Sequence, residues 1–177
     1  MVTYNATSQL AKVLNAREMA PAHATQDMFE GNETLSQKGG LAVAIPGEIK
    51  GYWELYKEMG GGVPWADLFE PTIQLCTHGF TVDSHTANAL AEEREWILNE
   101  PSMAEIFVNP ETKDVWVLGD TMKRPKLAET LRKIADSPLG GDALYRRSSE
   151  LAQWLVEDLT EFGGIISMED LESYAYV

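Results

Sequence analysis

The alternation of apolar and polar residues predicts a hairpin at the start of the chain. Residues 1–4 and 12–14 are β-prone runs, and a polar turn at residues 5–8 separates them. Residues 174–177 are again strand-like. Because isolated strands are marginal in water, strands at both ends predict that the chain is cut from a larger sheet.

Between these ends the apolar spacing is helical. Helices are predicted over residues 48–59, 64–78, 84–98, 126–135 and 149–162, with one extended segment at residues 112–118. The glycines at 60–62 are predicted to end the first helix, because glycine tolerates the left-handed conformation of a C-cap. Pro64 suits the first turn of the second helix, and Ser84 is the predicted cap of the third. Ser167 and Asp170 predict a capping box for a last short helix.

Charge and composition exclude several classes of function. The chain has 28 acidic residues against 14 basic ones, a net charge of −14, which argues against nucleic acid and against anionic lipid. No apolar run approaches the ~20 residues that span a bilayer. The single cysteine, Cys76, excludes an internal disulfide and is predicted to be a small buried side chain. The three histidines lack metal-ligand spacing, so neither a metal nor a cofactor is expected.

Two features carry candidate chemistry. Asn5 and Asn32 each begin an Asn-x-Thr acceptor pattern in a polar turn, which predicts N-glycosylation and is compatible with a secretory route. Arg17 follows a predicted strand, where its planar guanidinium could bind a carboxylate through two charge-assisted hydrogen bonds. From the pattern alone, a local ion pair with Glu18 or a surface arginine is the favoured interpretation.

Five collinear stretches resemble the large subunit of γ-glutamyltransferases, also called γ-glutamyl transpeptidases or glutathione hydrolases. They are residues 14–29, 37–51, 63–71, 79–82 and 163–174. Each stretch alone is a modest signal, and together they cover essentially the whole chain. The Gln-Lys-Gly-Gly wording at residues 37–40 and the two acceptor patterns look more like animal than bacterial members.

The resemblance implies an α+β fold, the N-terminal nucleophile hydrolase sandwich, in which two sheets lie between helical layers. Residues 1–177 are then expected to form a single partial domain, a mostly helical large-subunit segment with strands at both ends. The implied reaction attacks the γ-glutamyl amide of glutathione and other γ-glutamyl compounds, and passes the γ-glutamyl group to water or to an amino-acid or dipeptide acceptor. The nucleophile is the N-terminal Thr of a small subunit, the implied protein partner.

By the same resemblance, Arg17 matches the arginine that binds the α-carboxylate of the donor, and Glu18 takes a supporting position beside it. No catalytic residue is expected in this chain, because the Thr nucleophile, the oxyanion hole and the contacts to the glutamyl amine are expected beyond Val177. The membrane anchor or signal is expected upstream, so the full-length protein would face the cell exterior or be secreted. The segment alone is expected to be inactive.

Two alternatives remain open from the sequence. One is a truncated, non-catalytic relative that acts as a binding or interaction protein. The other is an acidic helical structural module without a ligand, which the collinear motifs disfavour.

Overall fold

The computed structural model describes residues 1–60 and 62–176. These residues form an α+β structure that is mostly helical. In chain order the elements are β1 (Val2–Asn5), β2 (Leu10–Val13), α1 (Glu48–Met59), α2 (Glu70–His78), β3 (Phe80–Thr81), α3 (Ser84–Glu92), α4 (Arg94–Asn99), α5 (Pro101–Phe107), β4 (Val108–Asn109), β5 (Asp114–Val115), β6 (Thr121–Met122), α6 (Pro125–Asp136), α7 (Glu150–Glu161) and α8 (Met168–Ser173).

The chain divides into two compact units. The first joins Met1–Ala66 to Lys133–Val177, and the second is Asp67–Arg132. Each unit has a buried apolar cluster of its own. The cluster of the first unit comprises Ile45, Tyr145, Ala152, Ile166, Leu171 and Tyr174, and that of the second comprises Leu90, Ile97 and Val115. The single partial domain expected for residues 1–177 stays a prediction.

The N-terminal hairpin is confirmed. Strand β1 pairs antiparallel with β2, with Val2 opposite Val13 and Asn5 opposite Leu10. Strand β2 begins two residues before the predicted run at residue 12. Two further antiparallel pairs, β3 with β6 and β4 with β5, complete the sheets found in the described residues.

Helix α1 has the bounds that its apolar spacing predicts, but it ends for a different reason. The amide of Gly60 donates to the carbonyl oxygen of Tyr56 at 2.7 Å, with φ at −69° rather than in the left-handed region. A Cβ at Gly60 would lie 2.0 Å from that same oxygen. Glycine is therefore required here for close approach, and Gly61 of the predicted cap lies outside the described residues.

Other helix boundaries differ from the prediction because a neighbouring residue takes the role predicted for another. Helix α2 begins at Glu70 with Pro71 in its first turn, so Pro71 takes the role predicted for Pro64. Asp83, not Ser84, caps α3 by accepting from the amide of Thr86 at 2.7 Å. The predicted third helix is divided between α3 and α4, and the extended segment at residues 112–118 pairs only over β5.

The elements that follow agree with the pattern. Helices α6 and α7 lie within a residue or so of their predicted bounds, and the capping box at Ser167 and Asp170 is formed at the start of α8. Residues 174–176 follow α8 without strand pairing, and Tyr174 is buried; Val177 lies outside the described residues. No helix of the described part is both long and apolar enough to cross a membrane.

Candidate functional site

The segment that carries Arg17 runs from the end of β2 across the first unit. It pairs with residues that come much later in the chain. The amide of Met19 donates to the carbonyl of Ile45 at 3.2 Å, and the amide of Ile45 donates to the carbonyl of Met19 at 2.8 Å. Within the segment, the side-chain oxygen of Asn15 accepts from the amide of Arg17 at 3.2 Å. The backbone on both sides of Arg17 is thereby fixed.

Two glycines let this segment approach α1 closely. A Cβ at Gly51 would lie 2.4 Å from the Cβ of Ala16, and a Cβ at Gly47 would lie 2.4 Å from the carbonyl oxygen of Ala16. Both distances are too short for any side chain without rearrangement of the backbone. The segment therefore packs against α1 at Ala16, one residue before Arg17.

The C-terminal part of the chain holds the other side of the segment. The hydroxyl of Tyr174 donates to the carbonyl oxygen of Arg17 at 2.8 Å. The carboxylate of Asp170 accepts from the amide of Ala22 at 2.8 Å and from the amide and hydroxyl of Ser167, each at 2.8 Å. Burial alone would raise the pKa of Asp170, but these donors outweigh it and hold the pKa below its usual value. Asp170 is therefore a buried anion satisfied by hydrogen bonds.

A groove of about 710 Å³ opens beside this segment. Residues 13–18, here called the Arg17 wall, line one part of it, and residues 46–48 with Tyr52, here called the Pro46 wall, line another. The hydroxyl of Tyr52 donates to the carboxylate of Glu48. This hydrogen bond, with burial and the negative charge of Glu48, raises the pKa of Tyr52.

The guanidinium of Arg17 lies at this groove with most of its surface open. The side chain is 81% exposed, and its contact with the 53% exposed Glu18 is a single one, Nη2 to Oε1 at 3.1 Å. The local ion pair favoured by the pattern is thus present. It uses one nitrogen of a five-donor fork, so the remaining donors can bind a planar carboxylate. Arg17 and Glu18 are together, as predicted; their binding role stays a prediction.

Both predicted glycosylation residues are exposed, Asn5 at the end of β1 next to the hairpin turn and Asn32 just before a short 3-10 helix. The side-chain oxygen of Asn5 accepts from the amides of Thr7 and Ser8, at 3.0 and 3.1 Å, in the turn of the hairpin. The side-chain oxygen of Asn32 accepts from the amide of Thr34 at 3.1 Å and caps a short 3-10 helix. At each site the Asn side chain therefore stabilises the local backbone by accepting from an amide two or three residues later, and the Asn itself stays at the surface.

Sequence reasoning missed the groups that hold the Arg17 segment. Asp170 was found as a helix cap, but its bond to Ala22, 148 residues away, has no sequence signal. Tyr174 was placed on a strand. Gly47 and Gly51 lie inside a recognised motif, although nothing local indicates what approaches them. Across residues 1–60 and 62–176, no cluster of three or more His, Cys, Asp or Glu side chains could hold a metal.

Comparison with known proteins covers the whole chain. The model of the family described as gamma-glutamyltranspeptidase matches residues 1–177. Scoloptoxin SSD14 from Scolopendra dehaani is 44% identical over 98% of this chain and 29% of its own length. Glutathione hydrolase proenzyme 1 from Schizosaccharomyces pombe is 42% identical over 94% of this chain and 26% of its own length. The chain thus spans less than a third of these relatives.

Solved structures show the same fold. The gamma-glutamyltranspeptidase of Helicobacter pylori superposes with a TM-score of 0.87 at 32% identity, over 100% of this chain and 50% of that one. The gamma-glutamyltranspeptidase of Pseudomonas nitroreducens, solved in complex with L-DON, gives a TM-score of 0.84 at 29% identity over the same shares. The hairpin, the helices and the groove segment therefore follow the fold of these proteins.

Proposed function

Because the chain belongs to the gamma-glutamyltranspeptidase family, we propose that its gene product cleaves the γ-glutamyl amide of glutathione and related γ-glutamyl compounds. The γ-glutamyl group then passes to water or to an amino-acid or dipeptide acceptor. Relatives named glutathione hydrolase, 42% and 35% identical, support this assignment of the reaction. In it, the present chain supplies part of the donor-binding site.

The observation that carries this proposal is the combination of a fixed backbone and an open guanidinium at Arg17. The segment that carries Arg17 is held by Tyr174 at Arg17, by Ile45 at Met19 and by Asp170 at Ala22, while the Arg17 side chain is 81% exposed. A donor α-carboxylate can take two charge-assisted hydrogen bonds from such a fork. Glu18 orients the guanidinium through its single contact.

Arg17 then acts by positioning. It holds one end of the γ-glutamyl donor, so that the γ-carbonyl carbon reaches the Thr nucleophile of the small subunit. The Thr hydroxyl, activated by its own α-amine, adds to that carbon, and the amide nitrogen leaves with a proton. Water or the acceptor amine then releases the acyl group. The acid and base of both steps belong to the small subunit, and Arg17 takes no part in the proton transfers.

The decisive experiment compares two arginine variants in the complete gene product. Arg17→Ala removes the proposed carboxylate ligand, and we expect KM for glutathione to rise about tenfold to a hundredfold with little change in kcat. Arg94→Ala is the matched control, because Arg94 is an exposed arginine paired to Asp114 in the second unit. We expect Arg94→Ala to leave both constants unchanged.

Each other outcome has a clear meaning. Unchanged donor kinetics for Arg17→Ala would remove Arg17 from the donor site. Binding of glutathione without turnover by the complete gene product would favour the alternative, a non-catalytic binding relative.

We also propose an extracellular or membrane-facing location with glycans at Asn5 and Asn32. The exposure of both residues, one beside the hairpin turn and one at the cap of a short 3-10 helix, supports it. When the complete gene product is made in a eukaryotic host, endoglycosidase treatment should lower its apparent mass on a denaturing gel. Asn5→Gln and Asn32→Gln should each remove the part of this change that comes from one glycan. If endoglycosidase leaves the mobility of the wild-type protein unchanged, glycosylation is refuted.

A further inference from the structure

We propose that Tyr145 and Tyr174 act together as positioning residues, which set the spacing of the two groove walls and thereby place the guanidinium of Arg17. The inference rests on the proposed donor-binding role of Arg17. It concerns two side chains that do not line the groove and that the sequence pattern did not single out.

The two tyrosines form one stacked unit beneath the groove walls. Their ring centroids are 5.6 Å apart with an interplanar angle of 27°, and the residues are only 3% and 6% exposed. Tyr174 donates its hydroxyl to the carbonyl of Arg17 at 2.8 Å. Tyr145 donates its hydroxyl to the carbonyl of Pro46 at 2.7 Å. One rigid pair therefore binds the backbone of both walls.

The Pro46 wall lies directly against the Tyr174 hydroxyl at the point between these bonds. A Cβ at Gly47 would lie 1.9 Å from the hydroxyl oxygen of Tyr174, and no side chain fits there. The bridge between Met19 and Ile45 joins the same two segments further along and leaves the carbonyls of Arg17 and Pro46 to the tyrosines. The stacked rings thus determine where the two walls stand at Arg17 itself.

Both hydroxyls remain donors at physiological pH. Burial raises the pKa of Tyr145. Burial, and then the negative charge of Glu18, raise the pKa of Tyr174. An ionised phenolate would repel a carbonyl oxygen, so protonation keeps both bonds in place.

The test removes one hydroxyl at a time from the complete gene product and measures glutathione kinetics. Tyr174→Phe keeps the stacked ring, and we expect KM to rise about two- to tenfold with kcat retained. Tyr145→Phe should change KM in the same direction. Tyr56→Phe is the matched control, since Tyr56 also donates to a backbone carbonyl, that of Val63 at 3.1 Å, and does not line the groove. It should leave KM unchanged.

A double-mutant cycle separates positioning from general stability. If Tyr174 acts through Arg17, then adding Tyr174→Phe to Arg17→Ala should raise KM no further. An additive rise, or a rise equalled by Tyr56→Phe, would overturn the inference. An unchanged KM for both Tyr174→Phe and Tyr145→Phe, with Arg17→Ala impaired, would overturn it and leave the proposed function standing. An unchanged KM for Arg17→Ala would instead refute the donor role.

Discussion

Arg17 and Arg94 are both exposed arginines beside a carboxylate, yet they are built differently. Arg94 makes two parallel contacts to Asp114, Nε to Oδ1 at 2.7 Å and Nη2 to Oδ2 at 2.9 Å. Arg17 makes one contact to Glu18, at 3.1 Å. The side chain of Arg94 is 47% exposed, against 81% for Arg17. The guanidinium of Arg94 is already occupied by a carboxylate, and that of Arg17 is open to one.

The main-chain contacts of the two arginines differ in the opposite direction from their side-chain contacts. Arg94 begins α4 and its partner lies 20 residues away. The carbonyl of Arg17 is held by Tyr174, 157 residues away. The proposed binding residue thus combines a side chain that has few partners with a main chain held by a distant residue, whereas the side chain of Arg94 is already used in an ion pair. This contrast, rather than exposure alone, distinguishes the candidate site.

The largest effect is expected from the buried carboxylate that supports Arg17. Asp170→Asn turns one acceptor oxygen into a donor facing Ser167 or Ala22, which should cost about 1–3 kcal/mol of unfolding free energy at pH 7. The pKa of Asp170 is lower in the folded state than in the unfolded one. Its stabilisation is therefore present above the unfolded pKa, about 3.9, and is lost as pH falls through the folded pKa.

Thermal unfolding of wild type and Asp170→Asn as a function of pH checks this expectation. The difference in unfolding temperature between the two proteins should become smaller as the pH is lowered. A gap that stays constant down to about pH 2 would mean that ionisation of Asp170 does not stabilise the fold.

A smaller effect is expected when the fork of Arg17 is replaced but its charge is kept. Arg17→Lys should raise KM for glutathione about tenfold, because an ammonium cannot make the two parallel bonds. Arg94→Lys, measured in parallel, should leave KM at the wild-type value. If Arg17→Lys kept the wild-type KM, charge alone would explain the site, and the geometric part of the comparison would fail.

The smallest effect is expected from freeing the other arginine. Asp114→Ala removes the partner of Arg94 and exposes its guanidinium, with little loss of stability because the pair lies at the surface. We expect glutathione binding, measured by calorimetry, to stay as in wild type. A second binding event in this variant would show that an open guanidinium suffices without a fixed backbone and groove.

The elements with a local cause were predictable from the sequence. Apolar spacing gave the bounds of α1, and the polar turn gave the hairpin. The capping box at Ser167 uses a contact three residues away, so it is visible in the sequence. Where two local signals competed, the prediction was wrong: Asp83 rather than Ser84 caps α3, and Pro71 rather than Pro64 lies in the first turn of α2.

The candidate site depends on contacts that no local pattern contains. Arg17 was selected by family resemblance, while its own pattern favoured the ion pair with Glu18 that is also present. The roles of Tyr174 and Gly47 follow only from their meeting in space, where a Cβ would lie 1.9 Å from the tyrosine hydroxyl. The sequence pattern predicts a strand-like segment at residues 174–177, but it does not indicate the carbonyl to which the Tyr174 hydroxyl donates.

The bond between Tyr174 and Arg17 also sets an order of events during synthesis. The two residues are 157 positions apart, and ribosomes add about 5–20 residues per second, so Arg17 is synthesised roughly eight to thirty seconds before Tyr174. The hydrogen bond that joins the Arg17 wall to the tyrosine pair can therefore form only after Tyr174 has been made.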